Sequence, residues 1–140
     1  MTINKGLFTS NSSEWETPQD LFDELNKEFN FKLDVCATRE NAKCDVFIND
    51  DSLRKDWTKI TNNWKWMNPP YGRQIKDWVK KASEERQVVA LLPARTDTKY
   101  FHKYIYKQKN TEIRFIKGRL KFSNSKNSAP FPSMIVIFRL

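Results

Sequence analysis

Hydrophobic side chains along the chain switch between two spacings, and the switches predict the elements. Leu21, Phe22, Leu25 and Phe29 recur at helical intervals. The segment before them, Thr17-Pro18-Gln19-Asp20, reads as a helix start. Thr17 is the expected cap, Pro18 needs no amide hydrogen in a first turn, and Asp20 sets negative charge at the positive end of the dipole. Residues 31–35 alternate apolar and polar and end at Asp34-Val35-Cys36-Ala37, the pattern of a strand whose tip opens into a loop. Residues 43–48 predict a second short strand, followed by the acidic loop Asn49-Asp50-Asp51-Ser52. Residues 64–67 predict a third, running into Asn68-Pro69-Pro70-Tyr71. Ile75, Trp78, Val79 and Ala82 mark an amphipathic helix. The unbroken run Val88-Val89-Ala90-Leu91-Leu92, stopped by Pro93, fits a strand buried on both faces. Tyr100, Phe101, Tyr104 and Ile105 predict another helix, capped by Thr96 or Asp97. Three strands are expected after it, at residues 113–116, 120–122 and 134–138, with an exposed Ser/Asn/Lys loop at 123–128. Residues 1–13 have no apolar period and read as a flexible lead-in, and no internal repeat is visible.

Strands alternating with helices, then strands alone, predict an α/β fold whose sheet is mostly parallel with an antiparallel edge. Between Val35 and Lys43 a crossover helix, which needs at least about 10 residues, does not fit. Either that helix is a single turn or the pairing there is irregular.

A chain of 140 residues predicts one domain. Its 39% hydrophobic and 14% aromatic content is enough to offset the entropy of ordering, so disorder is not expected. A single histidine excludes mechanisms that need two imidazoles, and Cys36 and Cys44 alone make neither a four-cysteine zinc ribbon nor a disulfide scaffold. No metal is expected. No apolar run approaches the roughly 18–20 residues that span a bilayer, and the first residues lack the apolar core of a secretory signal. The expected compartment is the cytoplasm, with no membrane partner and reduced thiols. Charge is uneven. Residues 1–70 carry nine basic and twelve acidic side chains, net −3, whereas residues 71–140 carry sixteen and five, net +11. The second half is either a basic face for a polyanion, most simply nucleic acid, or a lysine-rich solvated surface.

Asn68-Pro69-Pro70-Tyr71 follows a strand tip and precedes a helix, the place where open α/β sheets gather ligands. Two prolines fix the backbone and remove its amide hydrogens, so their carbonyls need no ladder partner. Asn68 adds a neutral side-chain oxygen and Tyr71 a flat π surface. As a bare tetrapeptide the motif also serves as a turn or a docking segment. Placed here, it suits an exocyclic amine on an aromatic base. The lone pair of such an amine is delocalised into the ring. Two acceptors, the Asn68 oxygen and the Pro69 carbonyl, would take both amine hydrogens and draw the nitrogen towards tetrahedral geometry. Tyr71 would stack on the base, a contact worth about 1–3 kcal/mol.

The ordered set Trp15-Glu16-Thr17-Pro18, Leu33-Asp34-Val35-Cys36-Ala37, Asn68-Pro69-Pro70-Tyr71, Leu92-Pro93-Ala94-Arg95-Thr96-Asp97-Thr98, Gly118-Arg119-Leu120-Lys121-Phe122 and Ala129-Pro130-Phe131-Pro132-Ser133 resembles the small phage-type, Dam-like DNA N6-adenine methyltransferases. These are a branch of the class I S-adenosylmethionine-dependent family. The resemblance implies one compact Rossmann-like domain at residues 14–140, without a separate target-recognition domain. It implies methyl transfer from S-adenosylmethionine to the N6 amine of adenine in DNA, with Asn68, Pro69, Pro70 and Tyr71 as the catalytic motif. Trp15, Thr17 and Pro18 match the family's N-terminal cofactor motif, at the methionine end of the cofactor. Asp34 matches the acidic position near the cofactor's amino group, with Cys36 beside it. Asp50 or Asp51 matches the acid that accepts from the cofactor's adenine or ribose, and Asp51 is favoured because Ser52-Leu53 follow it. The bland alternative for both is a solvated acidic turn. The family's glycine-rich loop is here Cys36-Ala37-Thr38-Arg39, without glycine. Recognition falls to residues 71–74 and 119–132, and Arg73, Arg95, Arg119 and Lys121 are the expected DNA contacts, salt-sensitive through phosphate.

Other readings stay open on sequence. Arg95 and Arg119 pair either with phosphate or cofactor carboxylate, or internally with an acid such as Asp97. His102 reads first as a partly buried structural residue. Trp15 either packs over the cofactor or staples the following helix. Trp57, Trp64, Trp66 and Trp78 are expected in the core. Competing functions are methylation of a glutamine amide or a cytosine amine, and a basic nucleic-acid-binding module whose methylase site has decayed.

Overall fold

The computed structural model describes residues 15–140. The lead-in expected at residues 1–13 lies outside them.

The chain enters through α1 (Gln19–Phe29), whose Phe22, Leu25 and Phe29 form one buried stripe. It stops at Asn30, which adopts a left-handed conformation and returns its amide to the Asn26 carbonyl. β1 (Leu33–Asp34) follows, then a 3₁₀ turn (Ser52–Arg54) and the single-turn helix α2 (Trp57–Ile60). The Asp56 carboxylate caps α2 by accepting from the amides of Thr58 and Lys59. β2 (Lys65–Met67), α3 (Ile75–Glu85) and β3 (Val88–Pro93) make a strand–helix–strand unit. A five-residue π-helical turn at Phe101–Ile105 leads to β4 (Thr111–Phe115) and β5 (Ser133–Phe138).

The five strands form one sheet in the order β1-β2-β3-β5-β4. β1, β2 and β3 are parallel, and β5 is antiparallel to both β3 and β4. An antiparallel edge was the expectation. The reversed strand instead lies inside the sheet, and the edge strand β4 runs with the parallel set. β5 pairs with β3 through Ala90↔Val136 and with β4 through Ile113↔Val136, and every one of its residues is buried.

Phe22 meets both Phe31 and Trp66 at ring separations of 5.5 Å, which seats α1 on the face to which Trp66 points. Lys65, one residue away, points oppositely, and its ammonium reaches the Arg86 carbonyl at the end of α3. Trp57, Trp66 and Trp78 are in the core and Trp64 is half-buried against Phe29, as their expected placement required.

Three sequence expectations change. Residues 43–48 form no strand: a single parallel bridge joins Phe47 to Asp34, with the Asp34 amide on the Val46 carbonyl and the Ile48 amide on the Asp34 carbonyl, while the Lys43 amide goes to the Asp34 carboxylate. Residues 38–42 make a turn, so the pairing is the irregular alternative. Residues 120–122 are not a strand: the Leu120 carbonyl takes the Ala129 amide, which closes a loop. The helix expected around Tyr100 spans residues 99–105 and widens into the π turn, with Thr98, not Thr96 or Asp97, accepting from the Phe101 amide.

Candidate active site

At the carboxyl end of β2 the chain cannot continue in the sheet, because Pro69 and Pro70 have no amides to donate. It turns at Gly72, whose φ of 127° suits glycine, and the Gly72 carbonyl accepts from Ile75 as α3 begins. Asn68 therefore sits on a stiff step between strand and helix. Its Nδ2 donates to Thr17 Oγ1 at 2.9 Å and to the Trp15 carbonyl. These bonds orient the amide, and they leave Oδ1 buried with no hydrogen-bond partner among the described residues. Thr17 is thus no helix cap; its hydroxyl holds Asn68, and the α1 N-terminus has no side-chain cap. The segment bearing Thr17 is itself strapped down. Ser123 donates its amide to the Glu16 carbonyl and its hydroxyl to the Thr17 carbonyl, while Asn124 Oδ1 accepts from Glu16.

Two cavities flank this step. The first, about 280 Å³, is lined by Trp15, Thr17, Asp34, Cys36, Asn68 and Pro69 among others. At its wall Asp34 is only 2% exposed, and its carboxylate accepts from the amides of Cys36 (3.2 Å) and Lys43 (3.0 Å). Burial raises its pKa to about 6 against the pull of those two amides. The glycine-free loop reaches the cavity through Cys36, Ala37 and Thr38.

The second cavity, about 310 Å³, is lined by Trp15, Tyr71, Arg95, Thr98, Tyr100 and Phe131 with three others. Tyr71 is 8% exposed and donates its hydroxyl to the Leu91 carbonyl at 2.9 Å. Burial raises its pKa well above the usual phenol value, so it stays neutral. Phe131 and Phe122 meet the Tyr71 ring edge-on at 5.7 and 6.4 Å. The same two rings hold Trp15, each at 5.3 Å, so Trp15 packs against the loop before β5.

Trp15, Thr17, Asp34, Cys36, Asn68, Pro69 and Pro70 thus converge on the first cavity, and Tyr71 and Arg95 on the second. Pro18 opens α1 just outside the first lining. Asp50 and Asp51 are exposed beyond it, Asp51 facing Arg54 at 3.7 Å, whereas their neighbour Asn49 lines the wall. Arg73, Arg119 and Lys121 are exposed and line neither cavity. Neither Arg95 nor Arg119 forms an ion pair among the described residues. His102 is exposed, not partly buried, with Nε2 2.8 Å from the Thr96 carbonyl. Among the described residues no group of three or more His, Cys, Asp or Glu is placed to hold a metal, and no helix is long and apolar enough to cross a membrane.

Sequence reasoning missed Thr38, Asn41, Lys43 and Asn49 in the first wall, and the buttress role of Phe122 and Phe131. The signal for the first group was available: a segment too short for a helix after a strand tip must loop over that tip.

The family model described as DNA N-6-adenine-methyltransferase (Dam) matches residues 6–140. The DNA N-6-adenine-methyltransferase of Escherichia phage T1 is 31% identical over 93 residues, covering 62% of this chain and 38% of that protein. The chain thus spans well under two thirds of the length of the curated relative it matches.

Proposed function

The chain belongs to the family of DNA N-6-adenine-methyltransferases (Dam), and from that premise we propose that it transfers a methyl group from S-adenosylmethionine to the N6 amine of adenine in DNA, in the cytoplasm of its host cell. The observation that carries the reading is the buried, unpartnered Oδ1 of Asn68. An orphaned buried acceptor costs about 1–3 kcal/mol, and an amine hydrogen of a bound base removes that deficit. The Pro69 carbonyl, which accepts from no described residue, is the second acceptor.

The topology supports a Rossmann-like class I domain over residues 14–140: parallel strands whose tips carry the ligand residues, and one reversed strand within the far end. The first cavity fits the methyl donor. Its volume is close to the lower bound, about 300 Å³, of small-molecule sites. Its wall offers a buried carboxylate for a cationic end, the indole of Trp15, and polar groups from Thr38, Asn41 and Asn49 for an adenosine. Asn49 takes the ribose role expected of Asp50 or Asp51. When bound, S-adenosylmethionine supplies an electrophilic methyl group on a sulfonium.

Asn68 and Pro69 hold the amine and free its lone pair for in-line displacement, which makes the contribution of the protein mostly position and fixed polarity. Tyr71, steadied by Phe122 and Phe131, gives the base a ring to lie against in the second cavity. The base must leave the duplex first, at a cost of a few kcal/mol. Arg73, Arg95, Arg119 and Lys121 grip phosphates around that opening, and binding weakens with salt accordingly.

Labelled-methyl transfer tests the reading on three substrates: adenine-containing DNA, DNA whose only amine-bearing base is cytosine, and a glutamine-containing peptide. Label on the adenine DNA alone is expected. Label on either of the others reassigns the substrate, and failure to bind S-adenosylmethionine by calorimetry points to the decayed module.

A further inference from the structure

Among the described residues, Lys43 is the one basic residue in the wall of the first cavity, where Glu16 and Asp34 are the acids. Its main chain is pinned, because its amide donates to Asp34 Oδ2 at 3.0 Å. From there its side chain runs to the first residue of α1, and its ammonium donates to Gln19 Oε1 at 2.7 Å. Gln19 is neutral. No carboxylate lies within ion-pair distance of the Lys43 ammonium among the described residues. An ammonium has three donors and one is used here. The wall therefore holds a buried carboxylate and, tethered to it through one backbone bond, a cation with capacity to spare.

That pair is the charge pattern of an amino acid in reverse. We propose that Lys43 binds the α-carboxylate of the methyl donor's amino-acid end while Asp34 takes its α-ammonium, so that the segment closing over β1 does by opposed charges what a glycine loop does by close backbone approach. The inference rests on the first cavity being the donor site. Charge-assisted hydrogen bonds are about twice as strong as neutral ones, and the two residues are joined by the bond from the Lys43 amide to the Asp34 carboxylate. Gln19 holds the Lys43 side chain in place before the ligand arrives.

Isothermal calorimetry on the full chain distinguishes the outcomes with two ligands, S-adenosylhomocysteine and decarboxylated S-adenosylmethionine. Both carry the ammonium and only the first carries the carboxylate. Lys43→Met should weaken S-adenosylhomocysteine by about tenfold and leave the decarboxylated ligand within about twofold of wild type. Lys43→Arg, which keeps the charge, should restore most of the loss. Equal losses for both ligands, or none for either, would overturn the assignment. If the wild-type chain binds neither ligand, the donor-site reading beneath it falls.

Discussion

At the amino ends of the parallel strands, Arg86 donates to the carbonyls of Arg139, Ser83, Lys109 and Asn110 and to Thr111 Oγ1, at 2.7–3.3 Å. Beside it Glu85 accepts from the Trp57 and Thr58 amides, the Thr58 hydroxyl and the Lys81 ammonium. At the carboxyl ends, about 10 Å away along the three-residue β2, Asn68 Oδ1 has no partner among the described residues, and Asp34 is a carboxylate held in a site that disfavours its charge. Both ends bury polar groups. At the first, Arg86 and Glu85 are fully engaged and tie the C-terminal residues to the end of α3, so their polarity is structural. The other leaves acceptors open, as a site that must satisfy a ligand does. A buried polar residue is thus read by what it lacks, not by its identity.

The contrast breaks most sharply at Asn68. Asn68→Ala should lower kcat by about 10²–10³-fold in a protein that still folds and binds the donor; unchanged turnover would place the open acceptor outside the chemistry. Arg86→Met should do the opposite, costing about 2–3 kcal/mol in chemical denaturation while the folded protein binds the donor normally.

Asp34 gives a pH test with two signs. Its folded pKa, about 6, lies above the ordinary 3.8 because of burial. The folded state therefore holds the proton more tightly. Its contribution to stability is full below about pH 4 and lost as pH rises through about 6, on the order of 3 kcal/mol. Affinity for a cationic ligand end runs the other way and should fall about tenfold per pH unit below about 6. Glu85 is shifted down, because its hydrogen bonds from Thr58, Trp57 and Lys81 more than offset burial. Its contribution is lost as pH falls, so the Asp34 part is read as the difference from Asp34→Asn.

Tyr71 sharpens the comparison at the smallest scale. Its ring faces the second cavity, but its hydroxyl is satisfied by Leu91. Tyr71→Ala should remove stacking worth about 1–3 kcal/mol in DNA affinity. Tyr71→Phe should cost about 1 kcal/mol of stability and little affinity, and a larger affinity loss would assign the hydroxyl to the substrate.

Periodicity made the long elements legible. The stripe Ile75, Trp78, Val79 and Ala82 does form α3, and the apolar run from Val88 is the buried strand β3. The Asn-Pro-Pro-Tyr step was legible for a different reason: two prolines leave a backbone few choices. Elements held by tertiary partners were not. α2 is four residues long and depends on its Asp56 cap and on Glu85, which lies 27 or more positions away in the chain. Phe122 looked like strand because nothing local tells an alternating segment from a loop pinned by Trp15 and Phe131. The interior place of β5 followed from pairing with both neighbours, which an apolar run alone does not specify. Asp50 and Asp51 were legible by type, and both side chains are exposed next to Asn49, which lines the wall.

The most direct test of the open-acceptor account is a crystal structure of the chain with S-adenosylhomocysteine and an adenine-containing duplex. The account predicts an extruded adenine beside Tyr71, with N6 within about 3.2 Å of both Asn68 Oδ1 and the Pro69 carbonyl. An adenine bound elsewhere, with Asn68 Oδ1 satisfied by a protein group, would contradict it.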